Sequence, residues 1–251
     1  MATKQSEQIM RSWKRIRKYL ESIKDSRDPL SIHKFRLEIK KIEALLFLVR
    51  SCEPDKKHRF DIKHTRKVFL YLGKIRTSML NLNLAETYNL KNPSFFYSEQ
   101  LKLEARLKIF QTYEAEYFSR IRKELEMLAT KLPRIDTNLI NKVYLRHYQK
   151  TVRLFRNSIQ EEKLHKSRKK IKFLLYTSHL LSRKANQALE QELMHLDHLQ
   201  ELIGQWHDIV VLLELINSTG TKYTEMEREL RKNLQQKFEA IKAFSSSLVP
   251  S

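Results

Sequence analysis

The chain has 251 residues and carries 49 Lys and Arg against 29 Asp and Glu, a formal charge of +20 at pH 7. Its 3 glycines and 5 prolines are too few for the turns of a β-rich fold, and a single cysteine, Cys52, excludes an intrachain disulfide framework. With 41% apolar residues the chain can bury a real core, and no apolar run reaches the roughly 18 residues of a membrane span. Pro29, Pro54, Pro93 and Pro133 divide the first half into stretches of helical length. The spacing predicts a first helix over 7–24, with Ile9, Trp13, Ile16, Leu20 and Ile23 on one stripe. Further helices are expected over 31–51, 56–88 and 96–131, with Ser31 capping the second and Asp55 the third. After Leu132-Pro133 the pattern restarts, with Asp136 or Thr137 as cap and helices over 138–160, 162–183, 187–217 and 222–246. Asn217-Ser-Thr-Gly220 reads as a loop. The first twenty residues are charged and periodic, without the apolar core of an export signal, so the expected setting is a soluble protein of the cytoplasm.

Four helices are therefore expected in each half, and the halves repeat one another. His33-Lys-Phe-Arg36-Leu-Glu-Ile-Lys40 recurs 132 residues later as His165-Lys-Ser-Arg168-Lys-Lys-Ile-Lys172. Leu72-Gly73 recurs as Ile203-Gly204, so two of the three glycines occupy matching places. A glycine inside a helix costs up to about 1 kcal/mol relative to alanine, and a matched pair points to close helix packing there.

At about 100° per residue, Arg36 and Lys40 fall near 300° and 340° from His33, on one narrow face. Phe35, Ile39, Ile42 and Leu46 lie on the opposite side. In the repeat, His165, Arg168 and Lys172 align with Lys169 beside them, and Ile171, Leu174 and Leu181 form the apolar side. Neither column includes a carboxylate, although Glu38 flanks the first. An excess of +20 works against the compact state by self-repulsion, so a polyanionic partner is expected. Nucleic acid, an acidic membrane and polyphosphate all fit the charge alone.

These residues resemble the CHAD domain, the conserved-histidine α-helical domain. The likeness rests on the H-x-x-R-x-x-x-K pattern, its second copy and the Leu-Gly elements downstream. Leu199-Gln200-Glu201-Leu202-Ile203-Gly204-Gln205-Trp206-His207-Asp208 is similar to the family's second-repeat L-Q-x-x-L-G-x-x-x-D element. The counterpart Leu72-Gly73-Lys74-Ile75-Arg76-Thr77 keeps the Leu-Gly and the Arg but has Thr77 where an acidic residue is usual. The resemblance spans essentially the whole chain. It implies an all-α fold in which residues 1–251 form one CHAD domain. The domain is two tandem four-helix bundles (4+4 helices) related by a pseudo-twofold, with repeats over about 5–132 and 133–248. The implied function is non-catalytic binding of inorganic polyphosphate in a basic groove lined by both repeats, without a cofactor. Association with polyphosphate granules is implied as well. The expected contacts are His33, Arg36, Lys40, Lys41, His165, Arg168, Lys169 and Lys172. Lys18, Arg76, Lys150 and Arg153 are expected to widen the groove, with Arg15, Arg146, Lys63, Arg66 and Lys67 as outer candidates.

The residue types suit such a ligand. Arginine offers a planar fork to two phosphate oxygens, lysine a mobile point charge, and a nearby polyanion favours protonated imidazoles at His33 and His165. Binding is therefore expected to strengthen as pH falls through the imidazole range. RNA or single-stranded DNA is the alternative partner, but single-strand binders interleave exposed aromatics with basic residues. Phe47, Phe69, Phe155 and Phe173 are instead expected in the core. A phosphohydrolase acting on polyphosphate is a third reading, and it lacks the carboxylates that would hold magnesium. No nucleophile elbow, Walker loop or E-x-E-x-K strand pattern occurs. His195, His198, His207 and Asp208 have the composition of a metal site without its fourth ligand, so they are expected to border the groove or pack near Gly204. His58 and His64 read as surface, and Cys52 as an inert thiol.

Overall fold

The structure is a computed structural model, and it describes residues 4–26, 28–56, 60, 62–156, 159–220 and 223–246. The chain forms two compact units, one ending at Arg134 and the other starting at Ile135. Among the described residues there is no strand.

The first unit contains α1 (Lys4–Ser26), α2 (Pro29–Cys52), α3 (Lys63–Thr87) and α4 (Pro93–Lys131). α1 packs on α2 and α4, and α3 on the same two helices, which closes a four-helix bundle. The stripe Ile9, Trp13, Ile16, Leu20 and Ile23 is buried as its spacing demands, and Phe35, Ile39, Ile42 and Leu46 of α2 meet it in the core. Trp13 stands edge-on to Phe118 at 5.5 Å. At 39 residues, α4 runs about 58 Å, the longest helix of the fold.

Three helix starts depart from expectation, and that of α3 does so because its partner comes from another helix. Asp28, not Ser31, caps α2: its carboxylate accepts the N–H groups of Leu30 and Ser31 and the Ser31 hydroxyl, with Pro29 in the first turn. Asp55 does not cap α3, which starts at Lys63. There the buried Glu124 of α4 accepts the N–H groups of His64 and Thr65, both at 2.7 Å, and the Thr65 hydroxyl at 2.8 Å. Asn92 and Pro93 start α4 three residues before the predicted 96, with Asn92 accepting from Phe95 N.

The second unit contains α5 (Thr137–Arg156), α6 (Glu161–Thr177), α7 (Arg183–Ala188), α8 (Glu190–Ser218) and α9 (Thr224–Ser246). α5 packs on α6 and α9, and α8 on the same two, so four long helices again close a bundle. Asp136 caps α5 by accepting from Asn138 and Leu139. α6 ends six residues before the predicted 183 and passes through a 3-10 turn, Ser178–Leu180, into the short α7. Asn141 of α5 causes the break, since it accepts the Ser182 N–H and donates to the Ser182 hydroxyl, which itself caps Ala185. Leu181 is therefore buried just past α6 rather than on its apolar face. α8 runs on through Asn217 and Ser218, two residues of the expected loop, and Gly220, at φ +68°, turns the chain just beyond it.

Candidate functional site

The site of the first unit begins with the direction of α2. Its core face is apolar, so His33 and Lys40 emerge exposed on the other side, while Arg36 sits half-buried at the edge facing α3. Arg36 Nη1 donates to the carbonyl of Phe69, and its Cζ lies 4.0 Å over the Phe69 ring. The carbonyl of Phe69 is the helical partner of the Gly73 N–H, one turn on. A Cβ at Gly73 would stand inside the guanidinium, 3.1 Å from its Cζ. The glycine is thus a notch in α3 that seats an arginine. Burial, together with the like charge of Arg76, draws the Arg36 guanidinium below its ordinary value, with Glu43 acting in the other direction. It remains a cation at any physiological pH.

The second unit repeats the construction on α6 and α8. Arg168 Nε donates to the carbonyl of Gln200 at 3.2 Å, again four residues ahead of a glycine. A Cβ at Gly204 would lie 2.7 Å from Arg168 Nη2 and 3.3 Å from its Cζ. The matched glycines therefore make room for a guanidinium rather than for a neighbouring backbone. His165 and Lys169 are exposed beside Arg168, and Lys172 is half-buried. His165 stacks on His207 of α8, with centroids 5.4 Å apart and planes 27° apart. His207 lies three residues after Gly204, the place Arg76 holds after Gly73. Each row thus gains a fourth member from the helix that carries the glycine: Arg76 in one unit, His207 in the other.

The remaining candidates are placed less uniformly. Lys41 pairs with Glu38 at 2.8 Å, and Arg15 of α1 pairs with the same carboxylate at 2.8 Å, so both cations serve a buried acid between α1 and α2. Burial pushes the Glu38 carboxyl up, and the bonds from Arg15 and Lys41 overcome it, leaving it below its ordinary value. Lys18 is exposed on α1, and Arg146, Lys150 and Arg153 are exposed along α5. Beside them His147 stands edge-on to Phe173 at 5.1 Å. Burial lowers its pKa, and Lys150, Arg146 and Lys170 add to the effect. Lys63, Arg66 and Lys67 are exposed on α3, with Arg66 3.4 Å from Glu43.

Several expectations for flanking residues change. Of the four phenylalanines expected in the core, only Phe155 is buried; Phe69 and Phe173 are half-buried, and Phe47 is 47% exposed. α2 turns Phe47 outward because it lies seven residues beyond Lys40, on the side of the row. His64 is half-buried, with Nδ1 3.2 Å from Arg120 Nη1, and His58 lies outside the described residues. Thr77 donates its hydroxyl to the carbonyl of Gly73 within its own helix. His195 and His198 both stand edge-on to Phe244, while His207 joins His165. Among the described residues no three His, Cys, Asp or Glu gather as they would around a metal ion. Burial, and then Glu53, push the Cys52 thiol up to about 11, which keeps it protonated. Among the described residues no helix is long and apolar enough to cross a membrane.

The CHAD domain family model matches residues 7–217, and the chain belongs to the CHAD family. Among solved structures, the crystal structure of the CHAD domain from the plant Ricinus communis matches 99% of this chain and 93% of its own. The TM-score is 0.65 at 16% sequence identity, a likeness of fold. No curated protein matches the chain.

Proposed function

We propose that this chain binds inorganic polyphosphate, without transforming it, through the cationic row of each unit. One observation carries the reading: an arginine seated in a glycine notch, with histidine and lysine exposed beside it, is built twice. A seated guanidinium loses little further freedom when an anion arrives, so its remaining N–H groups act as a preorganised fork for phosphate oxygens. His33 and Lys40, or His165, Lys169 and Lys172, supply further charge along the same face. Membership of the CHAD family and the excess of +20 support the choice of a plain phosphate polymer. Association with polyphosphate granules follows from the same reading, with the polymer as the tether.

The test is competition between long-chain polyphosphate and an oligonucleotide of equal charge at one salt concentration, with binding followed across a salt series. Polyphosphate should win, and log K should fall linearly with log salt as counterions are released. Replacing Arg36 and Arg168 together with glutamate should weaken binding more than either change alone. A winning oligonucleotide, or phosphate release when magnesium is added, would overturn the proposal.

A further inference from the structure

The first unit holds a second recess, a cleft of about 580 Å³ between the C-terminal half of α2 and the N-terminal half of α3. The two helices run antiparallel here: Arg36 meets Phe69, Glu43 meets Arg66, and Arg50 lies 5.7 Å over the Phe60 ring. The volume is within the range of sites for small organic ligands, roughly 300–1,000 Å³.

Its chemistry differs from that of the rows. Exposed Lys63, Arg66 and Lys67 face the cleft from α3, with Arg50 across from them on α2. Between these cations lie two large apolar side chains open to solvent, Phe47 at 47% and Leu70 at 58% exposure. A bare phosphate polymer has no group to set against an exposed ring and an isobutyl side chain. A ligand that carries a flat aromatic group on a phosphate chain has one. The half-buried carboxylate of Glu43, held 3.4 Å from Arg66, adds an acceptor for an amino or hydroxyl hydrogen, which an inorganic phosphate chain lacks.

Among the described residues, the second unit does not repeat the two side chains that give this cleft its character. Counting 132 residues on from Glu43 and Phe47 gives Leu175 and His179, and α6 has ended at Thr177. The Glu43 and Phe47 of this cleft are therefore not part of the duplicated rows.

We infer that the α2–α3 cleft is a nucleotide site, in which a purine base stacks on Phe47 and the phosphate chain lies along Lys63, Arg66 and Lys67. The base edge faces Glu43, and Leu70 covers the ribose side. Stacking on one exposed aromatic is enough to separate a nucleotide from its bare phosphates.

Calorimetric titration of the full chain with ATP and with inorganic tripolyphosphate tests this, because the two share a phosphate chain and differ by the nucleoside. ATP should bind about tenfold more tightly, the scale of one stacked base. Phe47→Ala should erase that difference and leave tripolyphosphate unchanged. Because Phe47 is exposed, the variant keeps its core. Lys63→Glu with Lys67→Glu should weaken ATP binding. Arg36→Ala with Arg168→Ala, which disables the rows, should leave the preference for ATP in place. A short adenine oligoribonucleotide, added in parallel, separates a free nucleotide from one in a strand; tighter binding that Phe47→Ala also removes keeps the site and assigns it to a strand. Equal affinity for ATP and tripolyphosphate, or a preference that survives Phe47→Ala, would overturn the inference and leave the proposal for the rows untouched.

Discussion

Alanine in place of Gly73 and Gly204 separates two roles of a helical glycine that stability alone would confuse. If each glycine were an incidental flaw in its helix, alanine would stabilise the chain by up to about 1 kcal/mol per site. The structure opposes that gain. A Cβ at Gly73 falls 3.1 Å from Arg36 Cζ, and one at Gly204 falls 2.7 Å from Arg168 Nη2, so each guanidinium must leave its notch. Leaving forfeits a charge-assisted hydrogen bond, worth about 1.5–3 kcal/mol when fully buried and less for these half-exposed ends. Arg36 also loses its position over Phe69, worth about 0.5–1 kcal/mol. The two sides nearly cancel, so each single change should alter stability by about 1 kcal/mol or less, a few degrees in Tm. Binding has no such compensation, because a displaced arginine is no longer a preorganised fork. We expect the double Gly→Ala variant to lose about tenfold in affinity for polyphosphate, or about 1.4 kcal/mol, with its helical circular dichroism intact. A double-mutant cycle sharpens the assay: once Arg36 is alanine, Gly73→Ala should have no further effect on binding. Variants that gain the full helix-propensity stabilisation and bind as tightly as the parent would refute the notch.

Two further outcomes concern stability. Glu38→Gln leaves Arg15 and Lys41 facing a neutral amide, and urea unfolding at pH 7 should show a loss of about 1–3 kcal/mol. That is less than for a fully enclosed pair, because Arg15 and Lys41 are 40% and 31% exposed. The native carboxyl sits below its ordinary value of 4.5, so its contribution is present above that pH and fades as pH falls through the native value. The gap between parent and variant should accordingly narrow in acid. His147 gives the same sign of pH dependence at higher pH: with its native pKa lowered, the unfolded chain binds the proton more readily. Stability should therefore drop as pH falls through the ordinary imidazole range near 6.5, and His147→Gln should flatten Tm against pH between about 7.5 and 5.5.

Features set by neighbours within a few residues are legible in the sequence itself. The α1 stripe, the two rows and the loop at Gly220 all follow from helical period and from local turn chemistry. The glycine pair was visible too, but its purpose was not, since Arg36 reaches Phe69 across 33 residues and Arg168 reaches Gln200 across 32. Lys41 is expected from the sequence as a contact beside the first row. Its ammonium is instead held three residues back by Glu38, whose other partner, Arg15, comes from α1. The break after α6 has the same origin, because Asn141 holds Ser182 from 41 residues away. Phe47 differs in kind: aromatic residues are usually buried, yet its place seven residues beyond Lys40 already puts it on the exposed side of α2.

The clasp of Glu124 on the first turn of α3 has a consequence for how the unit tolerates change. That helix begins where α4 dictates, not where the preceding connection delivers it. Lengthening or shortening the chain ahead of Ile62 would alter the path into the bundle while the start of α3 stayed pinned to its distant partner. The alignment that brings Gly73 opposite Arg36 is thereby set by α4 rather than by the number of residues ahead of Ile62.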